Sequence, residues 1–223
     1  MLSRYATRYA TRYDAVEINS SFYRHHQPRT YERWAAAVPA DFRFSVKLPR
    51  ALTHDARLVG AREVLDRFAE EVGVLGGKLG GVLVQLPPSL VYDALVAEAF
   101  FSDLRARIAA PLCVEPRHAS WFEPGVDALW TRHSLARVAA DPARVPEGAR
   151  PGGAGPWRYW RWHGSPRIYY SAYGPDALQP LARDLLAHAE AGVEPWCILD
   201  NTAHGHAITD ALQLRTWCGL DSD

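Results

Sequence analysis

Charged and polar side chains stand at the ends of short apolar segments all along this sequence. Glu17, Lys47, Glu115 and His163 end or follow such segments, in VEINSS, FSVKLP, LCVEPR and RWHG. Two carboxylates in one pocket suit proton transfer, and a lysine withdrawn from water can act as a base or an electrophile. Histidine can move a proton near neutral pH. We therefore predict that these four residues are catalytic.

Further polar and aromatic residues at the same segment ends are predicted to bind substrate. The guanidinium group of arginine binds carboxylate or phosphate oxygens, and aromatic rings can stack on a sugar or a nucleobase. Each type also has a structural interpretation: an arginine can pair internally with a carboxylate, and an aromatic ring can pack over a rim. The predicted binding residues are Asn19, Tyr23, His54, Gln85, Arg117, Trp121, Arg161 and Asn201.

Lysine is rare in this chain, because Lys47 and Lys78 are its only lysines among 25 basic residues. Lys47 follows a buried-strand pattern, so it is expected to hold a phosphate or carboxylate group or to react itself. The alternative is a lysine whose stem lies along apolar surface while its charge reaches water.

The same ligand types could also hold a metal ion. Glu17, Glu115, His163 and Asp200 form an oxygen and nitrogen donor set. However, no H-E-x-x-H or comparable local signature supports a metal, so no metal ligand and no cofactor is assigned. The histidine pairs His25–His26 and His204–His206 are interpreted as surface loops.

Short apolar segments alternate with helical patterns, and each gap between strands is long enough for the crossover helix that parallel strands need. The predicted strands are DAVEINSS (14–21), RFSVKLP (43–49), GVLVQLP (81–87), PLCVEPR (111–117), LARVAAD (135–141), WRYWRWHG (157–164) and PWCILDN (195–201). The predicted helices are residues 28–38, 61–76, 89–109, 124–134, 176–192 and 206–219, the third of them starting at a possible Ser89 cap.

Seven such units suit either an open doubly wound sheet or a (β/α) barrel. Polar residues end nearly every strand instead of gathering at one switch point, which favours the barrel. The two-residue period of a strand places several of them on a shared face, in the pairs Glu17 and Asn19, Ser45 and Lys47, Glu115 and Arg117, and Arg161 and His163. We predict one barrel domain over residues 1–223.

Two glycine-rich segments are interpreted as connections. GGKLGG (76–81) follows a helix and precedes a strand, which is the reverse of a phosphate loop, so a tight turn is expected. PEGARPGGAGP (146–156) is interpreted as a loop after the fifth strand.

Six motifs in order resemble the YecE-like family, also called domain of unknown function 72: VEINSSFYR, FSVKLPRALTH, GVLVQLPPS, VEPRHASW, RWHG and DNTAHGHA. The resemblance runs from about residue 12 to the C-terminus. It implies a TIM-type barrel of the xylose-isomerase-like kind and no particular activity. The matching motif residues are Glu17, Asn19, Phe22, Tyr23, Lys47, Thr53, His54, Gln85, Pro87, Glu115, Arg117, Trp121, Arg161, His163, Gly164, Asn201 and Ala207.

The chain departs from that family in two places. The family's usual first strand, of the type G-T-S-G-W, is absent, and Asp200 stands where asparagine is common. The resemblance therefore implies an incomplete barrel of seven parallel strands, with a gap between DAVEINSS and PWCILDN. We expect Glu17, Asp200 and Asn201 to be more exposed there than in a closed barrel.

Three explanations of the missing strand are open: a missed upstream start, a partner chain over the edge, or a degraded copy. We favour the first, because the other motifs are intact. Tyr5, Tyr9 and Tyr13 repeat at four-residue spacing and are expected to pack near the seam.

Composition limits the classes of partner. Basic and acidic residues number 25 each, so a pull toward nucleic acid or an anionic membrane is not indicated. No apolar run is long enough to span a membrane, and the first residues lack a signal core. Cys113, Cys197 and Cys218 form no C-x-x-C pair, which is typical of a reducing compartment, so a cytoplasmic location is expected.

These observations predict an enzyme, with its class left open, that uses acid–base residues on a small polar or anionic substrate. If two acids (Glu17 and Glu115) and three cations (Lys47, Arg117 and Arg161) share one cleft, the entrance of that cleft carries a net positive charge. The alternatives are a metal-dependent sugar isomerase-like or phosphodiester hydrolase-like barrel, and a ligand-binding protein without turnover. The expected partners are a small-molecule ligand and, over the open edge, a second copy of the chain.

Overall fold

The computed structural model describes residues 13–220, in which strands and helices alternate. The strands are β1 (Ala15–Ile18), β2 (Arg43–Lys47), β3 (Leu79–Gln85), β4 (Leu112–Glu115), β5 (Leu135–Arg137), β6 (Ala139–Asp141), β7 (Gly152–Gly153), β8 (Trp157–Trp162) and β9 (Glu194–Leu199). The helices are α1 (Pro28–Ala36), α2 (Arg62–Gly73), α3 (Ala94–Arg105), α4 (Asp127–Arg132), α5 (Pro175–Glu190) and α6 (His206–Trp217).

The strands form a mixed α/β fold whose sheets are mostly parallel. One sheet has the order β1–β2–β3–β4–β5–β7, and only the short β5–β7 pairing is antiparallel. The other is the parallel sheet β6–β8–β9. Only Val138 separates β5 from β6, and its N–H donates to Val114 O at 2.9 Å. The predicted strand 135–141 therefore links the sheets: its first half pairs with β4 and its second half with β8.

The two-residue period of each strand divides the buried side chains into an outer and an inner set. Outer positions such as Val46, Val84 and Val114 pack against α1 to α4 in the largest apolar cluster. Inner positions form a smaller cluster that includes Leu83 and Tyr159. A third cluster packs Trp160 of β8 against Leu178, Leu181 and Leu185 of α5 and Leu214 of α6. Strands buried on both faces leave only their ends for polar chemistry.

Helix α3 begins five residues later than predicted. Asp93, and not Ser89, is its N-cap, because the Asp93 carboxylate accepts from the N–H groups of Leu95 and Val96, both at 3.0 Å. The segment before it, which was predicted as helix, lies outside any helix. A carboxylate at the N-terminus satisfies free N–H groups and complements the helix dipole, so it defines the boundary.

The glycine-rich segment 76–81 is a tight connection, as its order predicts. Lys78 ends its turn and donates to the carbonyls of Ala35 and Val38, which close α1. A Cβ on Gly81 would lie 2.2 Å from the Trp157 ring. The glycine is therefore required for an indole to approach the strand backbone closely.

Strands β1 and β9 have no partner on their outer sides within residues 13–220. A groove of about 400 Å³ lies between them, lined by residues that include Tyr13, Ala15, Trp196 and Ile198.

The prediction that Glu17 is exposed at this seam is wrong, because its side chain is 1% exposed and held by polar partners. Asn201 is also buried, and Asp200 is partly exposed. Tyr5 and Tyr9 lie outside the described residues.

None of the helices within residues 13–220 combines the length and the apolar character that crossing a membrane requires.

Candidate active site

The inner positions at the carboxyl ends of the parallel strands bring the predicted polar residues together. Glu17 lies on β1 beside Ser45 of β2, and Gln85 of β3 is in register with Glu115 of β4. The side chains of β8 reach the same group. The predicted convergence of Glu17, Lys47, Gln85, Glu115, Arg117, Arg161 and His163 is confirmed.

Arg161 is the centre of this group. It is 1% exposed, and its Nε and Nη2 donate to the two oxygens of Glu17 at 2.9 and 2.8 Å. Its Nη1 donates to Glu115 Oε2 at 2.5 Å. Tyr159, two residues earlier on the same face of β8, donates its hydroxyl to Glu17 Oε2 at 3.0 Å. Two buried carboxylates thus share one guanidinium, which satisfies most of its donors.

Every oxygen of Glu115 is also occupied. The Gln85 amide donates to both, at 3.0 Å each, and Arg117 donates to Oε1 from Nε at 2.8 Å, with its Nη2 2.7 Å from the same oxygen as an ion pair. Burial alone would raise the pKa of Glu115, but the charges of Arg161 and Arg117 hold that pKa well below its usual range. Glu115 is therefore a permanent anion near neutral pH.

Lys47 lies beside this network without joining it. It is 5% exposed, and its Nζ lies 4.1 Å from the centroid of the Phe22 ring. Among the described residues, none forms a hydrogen bond or an ion pair with the Lys47 ammonium. Burial, helped by the positive charge of Arg161 and opposed by Glu115 and Glu17, lowers the pKa of Lys47 to about 8.

His54 also packs against the Phe22 ring. It belongs to a π-helical turn, Ala51–Asp55, which follows β2. The rings of Phe22 and His54 meet edge to face with centroids 5.0 Å apart, and Thr53 Oγ1 lies 2.8 Å from His54 Nδ1. Burial and the charge of Lys47 lower the pKa of His54, which favours a neutral ring near neutral pH.

His163 and Asp200 form a hydrogen-bonded pair, with Nδ1 and Oδ2 3.1 Å apart. The other ring nitrogen, Nε2, lies 3.4 Å from Arg161 Nη1. Arginine can only donate, so Nε2 accepts and Nδ1 carries the proton that is donated to Asp200. A carboxylate behind a histidine is the arrangement that orients an imidazole for proton transfer.

A cavity of about 250 Å³ opens beside these residues. Its lining includes Glu115, Arg117 and His163, together with Tyr169 and the exposed Arg144. The cavity is therefore small, and arginine side chains outnumber carboxylates among the residues that line it.

Four predicted binding residues have other surroundings. Trp121 is in the core, where Nε1 donates to Leu90 O at 2.9 Å. Asn201 is buried and donates to Asp210 at 2.6 Å, so it fastens the start of α6. Asn19 precedes a short turn before α1, and Tyr23 is 73% exposed. The structure holds Trp121 and Asn201 in packing and hydrogen-bonding roles.

Two residues that line or support the site were not among the predicted site residues. Tyr159 shares the face of Arg161, so the two-residue period that selected Arg161 could have found it. Arg144 lies in the loop after β6, where no sequence signal distinguishes it. Within residues 13–220, no three His, Cys, Asp or Glu side chains are grouped to hold a metal ion.

A sequence model described as "Protein of unknown function DUF72" matches residues 3–222. The chain belongs to the DUF72 family. Among curated relatives, UPF0759 protein YecE of Escherichia coli (strain K12) is 29% identical over 121 residues, and UPF0759 protein YunF of Bacillus subtilis (strain 168) is 28% identical over 124 residues. Each match covers 52% of this chain and 43% of the relative, so it spans less than half of the relative's length.

Solved DUF72 structures share the fold. A DUF72 family protein from Enterococcus faecalis V583 superposes with a TM-score of 0.84 at 22% identity, over 99% of this chain and 95% of that one. One from Thermotoga maritima MSB8 has a TM-score of 0.83 at 24% identity, over 97% and 89%. The likeness at these identities concerns the fold alone.

Proposed function

We propose that this DUF72 protein is an enzyme that holds a small anionic substrate at the carboxyl ends of its parallel strands and transfers protons there. The observation that carries the proposal is that the Lys47 ammonium is buried and has no hydrogen-bond or ion-pair partner among the described residues. Burying a charge without a partner costs free energy, and every other charge in the network is matched. An anionic group on a substrate is the partner that Lys47 lacks.

The scaffold of this proposal is an open (β/α) barrel of seven parallel strands in a single domain. Its support is the contact between the two ends of the strand order: Tyr159 and Arg161 of β8 hydrogen-bond Glu17 of β1. Such a contact requires the strands to curve around a common interior. We also place the protein in the cytoplasm, because all three cysteines are unpaired thiols.

The residues divide into two roles in this proposal. Lys47 and Arg117 attract the anion, and the His163–Asp200 pair moves the proton. Glu17 and Glu115, which the sequence predicts to be catalytic, act as positioning residues, because their oxygens already accept hydrogen bonds.

Thermal denaturation with a panel of small ligands tests the proposal. Inorganic phosphate and pyruvate should raise the melting temperature of the wild type, whereas glucose should not. A ligand at a hundred times its dissociation constant adds about 2.7 kcal/mol, or roughly 5–10 °C for a chain of this size. Lys47→Met should abolish the shift.

The matched control is Arg183→Met, which removes one positive charge from the exposed side of α5. It should keep the full shift. If neutral sugars stabilise the protein and anions do not, the proposal is wrong; stabilising anions that are never converted would favour a binding protein without turnover.

A further inference from the structure

We propose that Lys47 is the nucleophile of this site and forms a Schiff base with a carbonyl compound that carries a carboxylate, a 2-oxo acid in its simplest form. The inference rests on the proposed anion-binding function and names the substrate class. Lys47 is close enough for its charge to interact with that of Arg117, which lines the cavity, whereas the thiol of Cys113 belongs to the inner cluster, where burial raises its pKa.

The position of the Lys47 nitrogen is the first argument. The backbone is fixed, because Ser21 Oγ donates to Lys47 O at 2.6 Å and Leu48 N–H donates to Leu83 O at 2.8 Å. The ammonium has only the Phe22 ring beside it, and no described acceptor holds its protons. A nucleophilic amine needs a free lone pair and an unobstructed approach, and hydrogen bonds to carbonyls would deny both.

The charges around Lys47 are the second argument. Arg161 and Arg117 oppose its protonation, Glu17 and Glu115 favour it, and the ring of His54, which also contacts Phe22, lies within reach of its charge. Burial has the largest effect, and it lowers the pKa of Lys47 to about 8. At pH 8, about half of the molecules then carry Lys47 as the neutral amine, and this fraction is roughly a hundred-fold larger than for an ordinary lysine.

The neighbours supply the remaining parts of an imine-forming site. Arg117 is partly exposed at the cavity, and its Nη1 is not used by Glu115, so it can bind the carboxylate of the substrate. Because the pKa of Lys47 is about 8, the amine can release its proton to solvent near pH 8 without a protein base. The Phe22 ring covers one side of the amine.

The step balances without any further reactant. The Lys47 ammonium gives one proton to solvent, and its nitrogen attacks the carbonyl carbon as the C–O π bond breaks. The oxygen takes a proton to give a carbinolamine, which loses the hydroxyl group as water after a second protonation. The product is a protonated imine, so one ammonium and one carbonyl become one iminium and one water.

Reductive trapping tests the inference on the intact protein. Pyruvate is added at pH 8, followed by sodium borohydride, and the adduct is located by peptide mass mapping. The chain provides its own control, because Lys78 is its only other lysine and donates to two carbonyls. Lys47 should be labelled at least about ten-fold faster than Lys78. In guanidinium the two lysines should be labelled equally.

Two variants separate the failure of this inference from that of the proposed function. Lys47→Arg keeps the positive charge, so it should retain the thermal shift with inorganic phosphate and lose the adduct. Lys78→Arg removes the other lysine and should keep both the adduct and the phosphate shift. Equal labelling of the folded lysines, or an unlabelled Lys47 in a wild type that phosphate still stabilises, would overturn the Schiff base alone. Loss of the phosphate shift itself would overturn both.

Discussion

The shared guanidinium of Arg161 allows the sharpest test of how this site is built. Arg161→Met keeps an unbranched apolar stem of similar length and removes the charge from between Glu17 and Glu115. Glu17 is left with the Tyr159 hydroxyl alone, whereas Glu115 keeps Gln85 and Arg117. Breaking a buried ion pair by removing one partner costs about 3–5 kcal/mol, because an uncompensated charge stays buried.

Urea denaturation followed by tryptophan fluorescence measures this cost. With a urea dependence of about 2–3 kcal/mol per molar, the unfolding midpoint should fall by about 1–2.5 M at pH 7.5. The control is Arg158→Met on the same strand, whose Nη1 donates only to the carbonyls of Gly155 and Trp157. It should cost about 1 kcal/mol or less.

The destabilisation should depend on pH with a definite sign. Arg161 lowers the folded-state pKa of Glu115, so its contribution is fully present above the unfolded-state pKa of about 4.3 and is lost as pH falls through the folded-state pKa. Removing Arg161 raises that folded-state pKa. The difference between wild type and variant should therefore be largest near neutral pH and shrink in acid.

A second substitution separates charge from packing. Adding Glu17→Gln to Arg161→Met removes the stranded charge and should recover about 1–2 kcal/mol. A cost below about 1 kcal/mol for Arg161→Met at pH 7.5, or no recovery in the double variant, would refute the view that a shared ion pair organises the site.

Three further substitutions test the scaffold. Gly81→Ala should cost about 1–3 kcal/mol because its Cβ would clash with an indole ring, while Gly77→Ala, with nothing within 4 Å, should change the melting temperature little. Asp93→Ala should lower the free energy of unfolding by about 1 kcal/mol through loss of the α3 cap, measured by urea denaturation. Tyr159→Phe should cost about 1.5–3 kcal/mol by removing a buried hydrogen bond to charged Glu17, and an unchanged midpoint would contradict that bond.

The sequence by itself determined where the strands lie and which of their faces carries polar groups. The two-residue period placed Lys47 with Ser45 and Glu115 with Arg117, and the structure brings these residues to one end of the sheet. This was readable because a strand buried on both faces tolerates polar side chains only where they meet others. The six motifs likewise led to the DUF72 family, which the match over residues 3–222 confirms.

Only the tertiary structure decided which of these residues are partnered. Sequence spacing cannot show that the guanidinium of Arg161 on β8 forms ion pairs with carboxylates on both β1 and β4. Such pairing depends on how strands that are far apart in the chain curve toward each other in the fold. The burial of Glu17 beside an open seam is such a case: its backbone edge is unpaired, yet Arg161 and Tyr159 draw its side chain inward. Within residues 13–220, Lys47 remains a buried cation without a hydrogen-bond or ion-pair partner, because both carboxylates are held by Arg161 on β8 instead.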